Sequence, residues 1–176
     1  MARLPYVEMD GAPPEVREIY ENVLKGKVGS VQKLVAHRPE MLGKFLAFYG
    51  SVGKSLDRRV YETVYIRVSA INGCQYCLQH HLASSKRVGL TADDWQALKA
   101  GDYGRFSPKE QAALNFAEKL TRESKNINDA DIDALKQHFS SEQILDLDML
   151  VGLANLTNRL TDPLGADLEF PAENIG

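Results

Sequence analysis

The stretch DRRVYETVYIRVSAING, residues 57–73, decides the fold. Val60, Val64, Tyr65, Ile66 and Val68 are good strand formers. Yet the apolar positions 60, 61, 64, 65, 68 and 71 recur with a 3.6-residue period rather than alternating, and the run is long for a strand. The spacing predicts a helix from Arg58 to about Ile71, with Asp57 as its cap and Asn72-Gly73 as its interruption.

With that segment helical, no other part of the chain needs a strand. Upstream, Pro13-Pro14 opens a segment with Val16, Ile19, Tyr20 and Val23 at helical spacing, ending near Gly26. A short helix spans Val31 to His37. Another starts at Pro39 and carries Leu42, Phe45, Leu46 and Tyr49 on one face. Downstream, a helix bearing the cysteines runs to about Val88 and stops at Gly89. Thr91 caps the segment of Trp95 and Leu98. Ser107-Pro108-Lys109-Glu110 is a capping box leading into Ala113, Phe116, Ala117 and Leu120. Asn128 caps the helix of Ile132, Leu135 and Phe139; Ser140 or Ser141 opens a long last helix through Leu160. From Asp162 onward, Pro163, Gly165 and Pro171 predict extended coil. The expectation is a single all-α domain over residues 1–176, with about eight helices. Residues 101–106 are a linker between helical layers, too weak to divide the chain.

Bulk properties narrow the function classes. The chain has 176 residues, 44% hydrophobic and 26% charged, with a formal charge of −3. Lys and Arg are scattered, which argues against nucleic acid or an anionic membrane as partner. No apolar run approaches the roughly eighteen residues that cross a bilayer, and the N-terminus lacks a signal-peptide core. A reducing cytoplasm is the expected compartment. There a lone Cys-x-x-Cys pair is more often catalytic or metal-binding than structural.

That pair is Cys74 and Cys77, followed by His81 four residues later. A thiolate rather than a thiol attacks peroxides and disulfides, so a redox cysteine needs help to ionise. The helix N-terminus at Asn72-Gly73 favours negative charge beside both cysteines. His81, one turn after Cys77, can take its proton or stabilise the thiolate. Cys74 can resolve a sulfenic acid into a disulfide. The plainer reading is two small buried hydrophobes. Zinc is a rival chemistry, but Cys74, Cys77 and His81 supply three ligands where a structural zinc wants four, and His37 or His138 would have to come through the fold. His80 points about 100° away from His81 and is expected at the surface or an interface.

Glu62 lies twelve residues before Cys74, giving Glu-x11-Cys-x-x-Cys-x-x-x-His. On its own, Glu62 would be a carboxylate paired with Arg58 one turn earlier. The run from Leu56 to Glu62, then Arg67 to Cys77, then His81, resembles the AhpD-like alkylhydroperoxidase group of the carboxymuconolactone decarboxylase superfamily. Ser107-Pro108 through Leu120-Thr121, Asn158-Arg159-Leu160 and Leu164-Gly165 resemble the C-terminal half of its peroxidase-related branch. The resemblance spans most of residues 15 to 170. It implies an all-helical fold, a homo-oligomer (commonly a trimer or hexamer), and cofactor-independent reduction of hydrogen peroxide or organic hydroperoxides through a dithiol–disulfide cycle. Carried across by position, Cys77 would be the peroxidatic cysteine, Cys74 its resolving partner, and His81 with Glu62 a proton relay completed by water. The reductant would be a dithiol donor such as a lipoyl-bearing or thioredoxin-like protein.

Helix-terminus reasoning alone favours Cys74 as the more acidic thiol; the resemblance and the i, i+4 relation to His81 favour Cys77 as nucleophile. Tyr76 stands where the best-known AhpD peroxidases carry another histidine, and tyrosine will not relay protons near neutral pH. Phe45, Tyr61, Tyr65 and Ile66 could line an apolar entrance, although core packing suits most of them. The alternatives are a decarboxylase of the same superfamily, whose members generally lack the cysteine pair, and a non-enzymatic redox-sensing oligomer.

Overall fold

Residues 58–72 form a helix, so hydrophobic spacing prevails over β-branched content in the segment that decides the fold. The reason is burial on every side: residues 60–69 are all buried, and Val64, Ile66 and Val68 are wholly so. Each such side chain contributes roughly 1.5–3 kcal/mol of transfer free energy, which outweighs propensity differences of a few tenths.

The computed structural model describes residues 1–172, and all regular structure among them is helical. The helices are α1 (Pro14–Glu18), α2 (Ser30–Val35), α3 (Pro39–Ser51), α4 (Arg58–Asn72) and α5 (Gln75–Ser85). They continue as α6 (Ala92–Ala100), α7 (Pro108–Glu123), α8 (Asp129–Lys136) and α9 (Ser141–Leu164). Helix α4 is the central rod, packed against α5, α6, α7 and α9. One core lies between α4, α7 and α9 around Val64, Tyr65, Leu147 and Leu150. A second lies between α4, α5 and α6 around Ile66, Leu82, Trp95 and Leu98. The N-terminal helices close a third around Tyr20 and Leu42.

Buried Arg67 ties these layers across the 101–106 connection. Its guanidinium donates to the carbonyls of Leu98 and Lys99 at 3.0 Å each, at the end of α6. It also pairs with Glu118 of α7 at 2.8 Å. The capping box expected at Ser107 forms; the caps expected at Thr91 and Asn128 are also capping boxes, and of Ser140 and Ser141 it is Ser140 that caps the last helix, again with a capping box.

The C-terminal end departs from expectation. Asp162, Pro163 and Leu164 are not coil; α9 runs to Leu164, with Pro163 in its last turn. Gly165, at φ 64°, closes the helix through bonds back to Asp162 and Thr161. The terminal carbonyls left free there, one of the ordinary costs of a helix end, are met by Arg3, whose backbone donates to Leu164 O at 2.8 Å and whose guanidinium reaches Pro163 O. Pro163 has no N–H to offer the preceding turn, yet the helix continues through it to Leu164. The segment after Gly165 is non-helical, but it is tied down: the Ser30 hydroxyl donates to Asp167 O at 2.7 Å.

Candidate active site

The cysteine turn is built by two helices sharing one residue. Gly73 adopts the left-handed conformation at φ 72°, which ends α4. The next residue, Cys74, donates its N–H back to Ser69 O at 3.0 Å, completing that helix end. Its side chain then starts α5: Sγ accepts the Cys77 N–H at 3.3 Å. A cysteine thus occupies the position usually held by Ser, Thr, Asp or Asn. Cys74 is 1% and Cys77 4% exposed.

Both sulfurs converge on the hydroxyl of Thr161 in α9. Its Oγ1 lies 3.1 Å from Cys74 Sγ and 3.3 Å from Cys77 Sγ. The Cys74 thiol is drawn below its ordinary value, foremost by the Cys77 thiol donating to it, then by Thr161 and the Cys77 amide, with burial opposing. The same bond to Cys74, together with burial, pushes Cys77 up. Negative charge in the dithiol therefore rests first on Cys74, as helix-terminus reasoning expects.

The structure brings Glu62 and His81 together. His81 Nδ1 lies 2.7 Å from Glu62 Oε2, deep between α4 and α5. Arg58 approaches the other carboxylate oxygen at 2.6 Å; the arginine is 60% exposed and the glutamate 1%. The Arg58 pairing expected from sequence is present, but with the glutamate buried rather than on a solvated face. The His81 ring stacks on Tyr65 with centroids 3.6 Å apart. Burial lowers the His81 value below the ordinary 6.5, with Glu62 pulling against it. The ring is therefore neutral at pH 7 and ready to accept a proton.

Cys77 and His81 line a cavity of about 520 Å³; Cys74 and Glu62 stand behind its wall. Of the four aromatic or aliphatic candidates, Phe45 and Tyr65 line it. Tyr61 and Ile66 are core residues instead. Tyr65 donates to Thr157 Oγ1 at 2.5 Å, because the threonine's single proton is committed to the carbonyls of Leu153 and Ala154. Burial pushes Tyr65 well up and Tyr49 up, so both stay protonated.

The rim is closed by the chain's C-terminal segment. Glu169 accepts from the Tyr76 hydroxyl at 2.9 Å and from the Ser30 amide, and its other oxygen meets His80 Nε2 at 2.9 Å. Phe170 packs edge-on against His80. His80 is thus a rim residue facing the cavity rather than a free surface group, and Tyr76 spends its proton on the strap. Partial burial works against Glu169's charge, but His80 and Ser30 hold the carboxyl down at about 2.

Thr161, Thr157 and Glu169 escape sequence reasoning. One signal was present for the threonines: the inward face of α9, apolar at Leu147, Leu150, Val151 and Ala154, continues at the same spacing into buried Thr157, Asn158 and Thr161. A buried face that turns polar marks a site. As for metals, among the described residues no three His, Cys, Asp or Glu side chains converge as ligands.

Comparison with known proteins matches this fold. The pattern of the carboxymuconolactone decarboxylase family fits residues 39–119, the span from α3 into α7 that contains the cysteine turn. The uncharacterized protein YdfG of Bacillus subtilis (strain 168) is 32% identical over 113 residues, covering 63% of this chain and 77% of that protein. The alkylhydroperoxidase AhpD core of an uncharacterized peroxidase-related protein from Ralstonia eutropha JMP134 superposes with a TM-score of 0.84 at 25% identity, over 99% of this chain and 94% of that one. An uncharacterized peroxidase-related protein from Silicibacter sp. TM1040 gives 0.80 at 29% identity, over 94% and 91%. With the helical frame shared along nearly its whole length and the cysteine turn inside the matched segment, the chain belongs to the AhpD/carboxymuconolactone decarboxylase superfamily.

Proposed function

We propose that the protein is a cofactor-independent thiol peroxidase that reduces hydrogen peroxide or organic hydroperoxides through a Cys74/Cys77 dithiol–disulfide cycle. The observation that carries this reading is a buried dithiol with one sulfur, Cys77, on a cavity wall beside His81, itself backed by Glu62. Cys77 as thiolate attacks a peroxide oxygen. The S–O bond forms, the O–O bond breaks, and the alcohol (or water) leaves with the proton that Cys74 holds, passed through the His81–Glu62 relay, which leaves Cys74 as a thiolate. Cys77 is then a sulfenic acid. Cys74 attacks its sulfur; the S–S bond forms and water departs. A dithiol donor, lipoyl-bearing or thioredoxin-like, reduces the disulfide and restores both thiols. The chain works as one unit in a homo-oligomer, trimer or hexamer, in the reducing cytoplasm.

Thiol titration of wild type, Cys74→Ser and Cys77→Ser, before and after one equivalent of peroxide, tests the scheme. Wild type should lose two thiols. Cys74→Ser should yield a sulfenic acid at Cys77 that a dimedone-type reagent traps, and Cys77→Ser should leave peroxide unconsumed. Wild-type consumption by Cys77→Ser would move the nucleophile to Cys74. Inert thiols in every protein would end the peroxidase reading, and a decarboxylase would keep its activity without either cysteine.

A further inference from the structure

The sulfur that carries charge and the sulfur that meets the cavity are different ones. Cys74 Sγ accepts the Cys77 amide and lies 3.1 Å from the Thr161 hydroxyl, yet stands behind the wall; Cys77 lines the cavity. For Cys77 to act as a nucleophile, its proton must end on Cys74 as the charge moves the other way. No sulfur is oxidised in that exchange. What changes is which thiolate needs a hydrogen bond.

We propose that the Thr161 hydroxyl is a catalytic group of this site: it donates to the thiolate on either sulfur and so carries its hydrogen bond from Cys74 to Cys77 as the charge arrives there. The geometry supports this directly. One oxygen lies within hydrogen-bonding distance of both sulfurs, and its alternative acceptor, the Thr157 carbonyl at 2.9 Å, lies along the same helix. Rotating one O–H bond switches among the three without moving a heavy atom. Held by α9 and fully buried, the oxygen needs no reorganisation when the charge shifts. The other side chain favouring a Cys77 thiolate, Asn158, has an amide that also serves Ser69 at 3.2 Å. The remaining titratable groups around the pair are Asp162 on α9, Tyr49 on α3, Tyr65 and Glu62 on α4, and Tyr76 and His81 on α5. Asp162 opposes charge on Cys74.

The inference rests on Cys77 as nucleophile in the proposed peroxidase, but its test needs no peroxide. Reduced full-length wild type, Thr161→Val, Thr161→Ser and Thr161→Ala are labelled with iodoacetamide across a pH series, and each cysteine is followed by peptide mass. Losing one hydrogen bond to a charged group predicts that Thr161→Val labels Cys77 at least about tenfold more slowly near neutral pH, with the profile displaced to higher pH. Thr161→Ser should stay within about threefold of wild type. If the valine variant does not melt cooperatively, the Ala/Ser pair, which differs by one oxygen, carries the same comparison. Wild-type rate and pH profile at Cys77 in a folded variant lacking the hydroxyl would overturn the role. A wild type that shows the hydroxyl dependence but consumes no peroxide would remove the peroxidase reading and leave Thr161's role standing.

Discussion

Glu62 is a carboxylate buried for a purpose that its neighbours define. It meets a neutral imidazole on one oxygen and an exposed guanidinium on the other. Glu62→Gln keeps the shape and an acceptor for His81 but removes the charge that would steady an imidazolium. The expected result is peroxide consumption slowed by roughly a hundredfold, a typical share for general acid–base help. The urea midpoint should move little, because Arg58 stays solvated. His81 carries its own pH signature. Its folded value lies below 6.5, so the unfolded chain takes up a proton that the folded one refuses. Stability is therefore full above about pH 6.5 and declines as pH falls through it. Urea titrations from about pH 8 to about pH 5 should show that decline, and His81→Gln should flatten it. Cys74, Cys77 and His81 follow one another from the turn into α5, so local spacing reveals them; Glu62, on the preceding helix, is singled out by the family resemblance. Thr161 and Glu169 stand 84 residues from Cys77 and 93 from Tyr76, where helical periodicity says nothing about who meets whom.

Among the elements, the α4–α5 turn is the most economical. Gly73 needs its left-handed backbone but has open space where a Cβ would stand. Gly73→Ala should cost about 1 kcal/mol in urea denaturation, from strain alone. Gly53 shares the positive φ, but a Cβ there would fall 2.5 Å from the Tyr61 ring, so Gly53→Ala should cost distinctly more. That contrast separates conformational strain from collision. Helix α4 was legible because its apolar period survives among strand-forming residues. The end of α9 was not: Pro163 and Gly165 look like a stop at Asp162, but the left-handed Gly165 closes the helix beyond Pro163 and Arg3 meets the carbonyls of Pro163 and Leu164.

Over the whole molecule, the N-terminal segment meets residues 167–169, the segment that also closes the cavity rim. Tyr6 and Asp167 bond side chain to side chain at 3.1 Å, and Glu169 fastens the strap to Ser30, Tyr76 and His80. Glu169→Ala should loosen the rim without touching the dithiol. Labelling of Cys77 by a bulky maleimide should then rise several-fold, while reaction with hydrogen peroxide stays within about twofold. Equal acceleration of both reagents would mean that the strap tunes reactivity rather than access. The Cys74 cap has a further consequence, in electrochemical terms. A sulfur that caps a helix as a thiolate loses its charge when it is bound in a disulfide, so oxidation weakens the start of α5 and reduction restores it. For the disulfide of the proposed cycle, that favours the reduced form, and the expected potential lies toward the oxidising end of protein disulfides. Equilibration with glutathione should find the Cys74–Cys77 bond readily reduced, and a strongly reducing potential would contradict the cap. In the proposed cycle a site poised this way needs only a mild donor to reset it, so recovery as well as attack would trace back to the turn at Gly73.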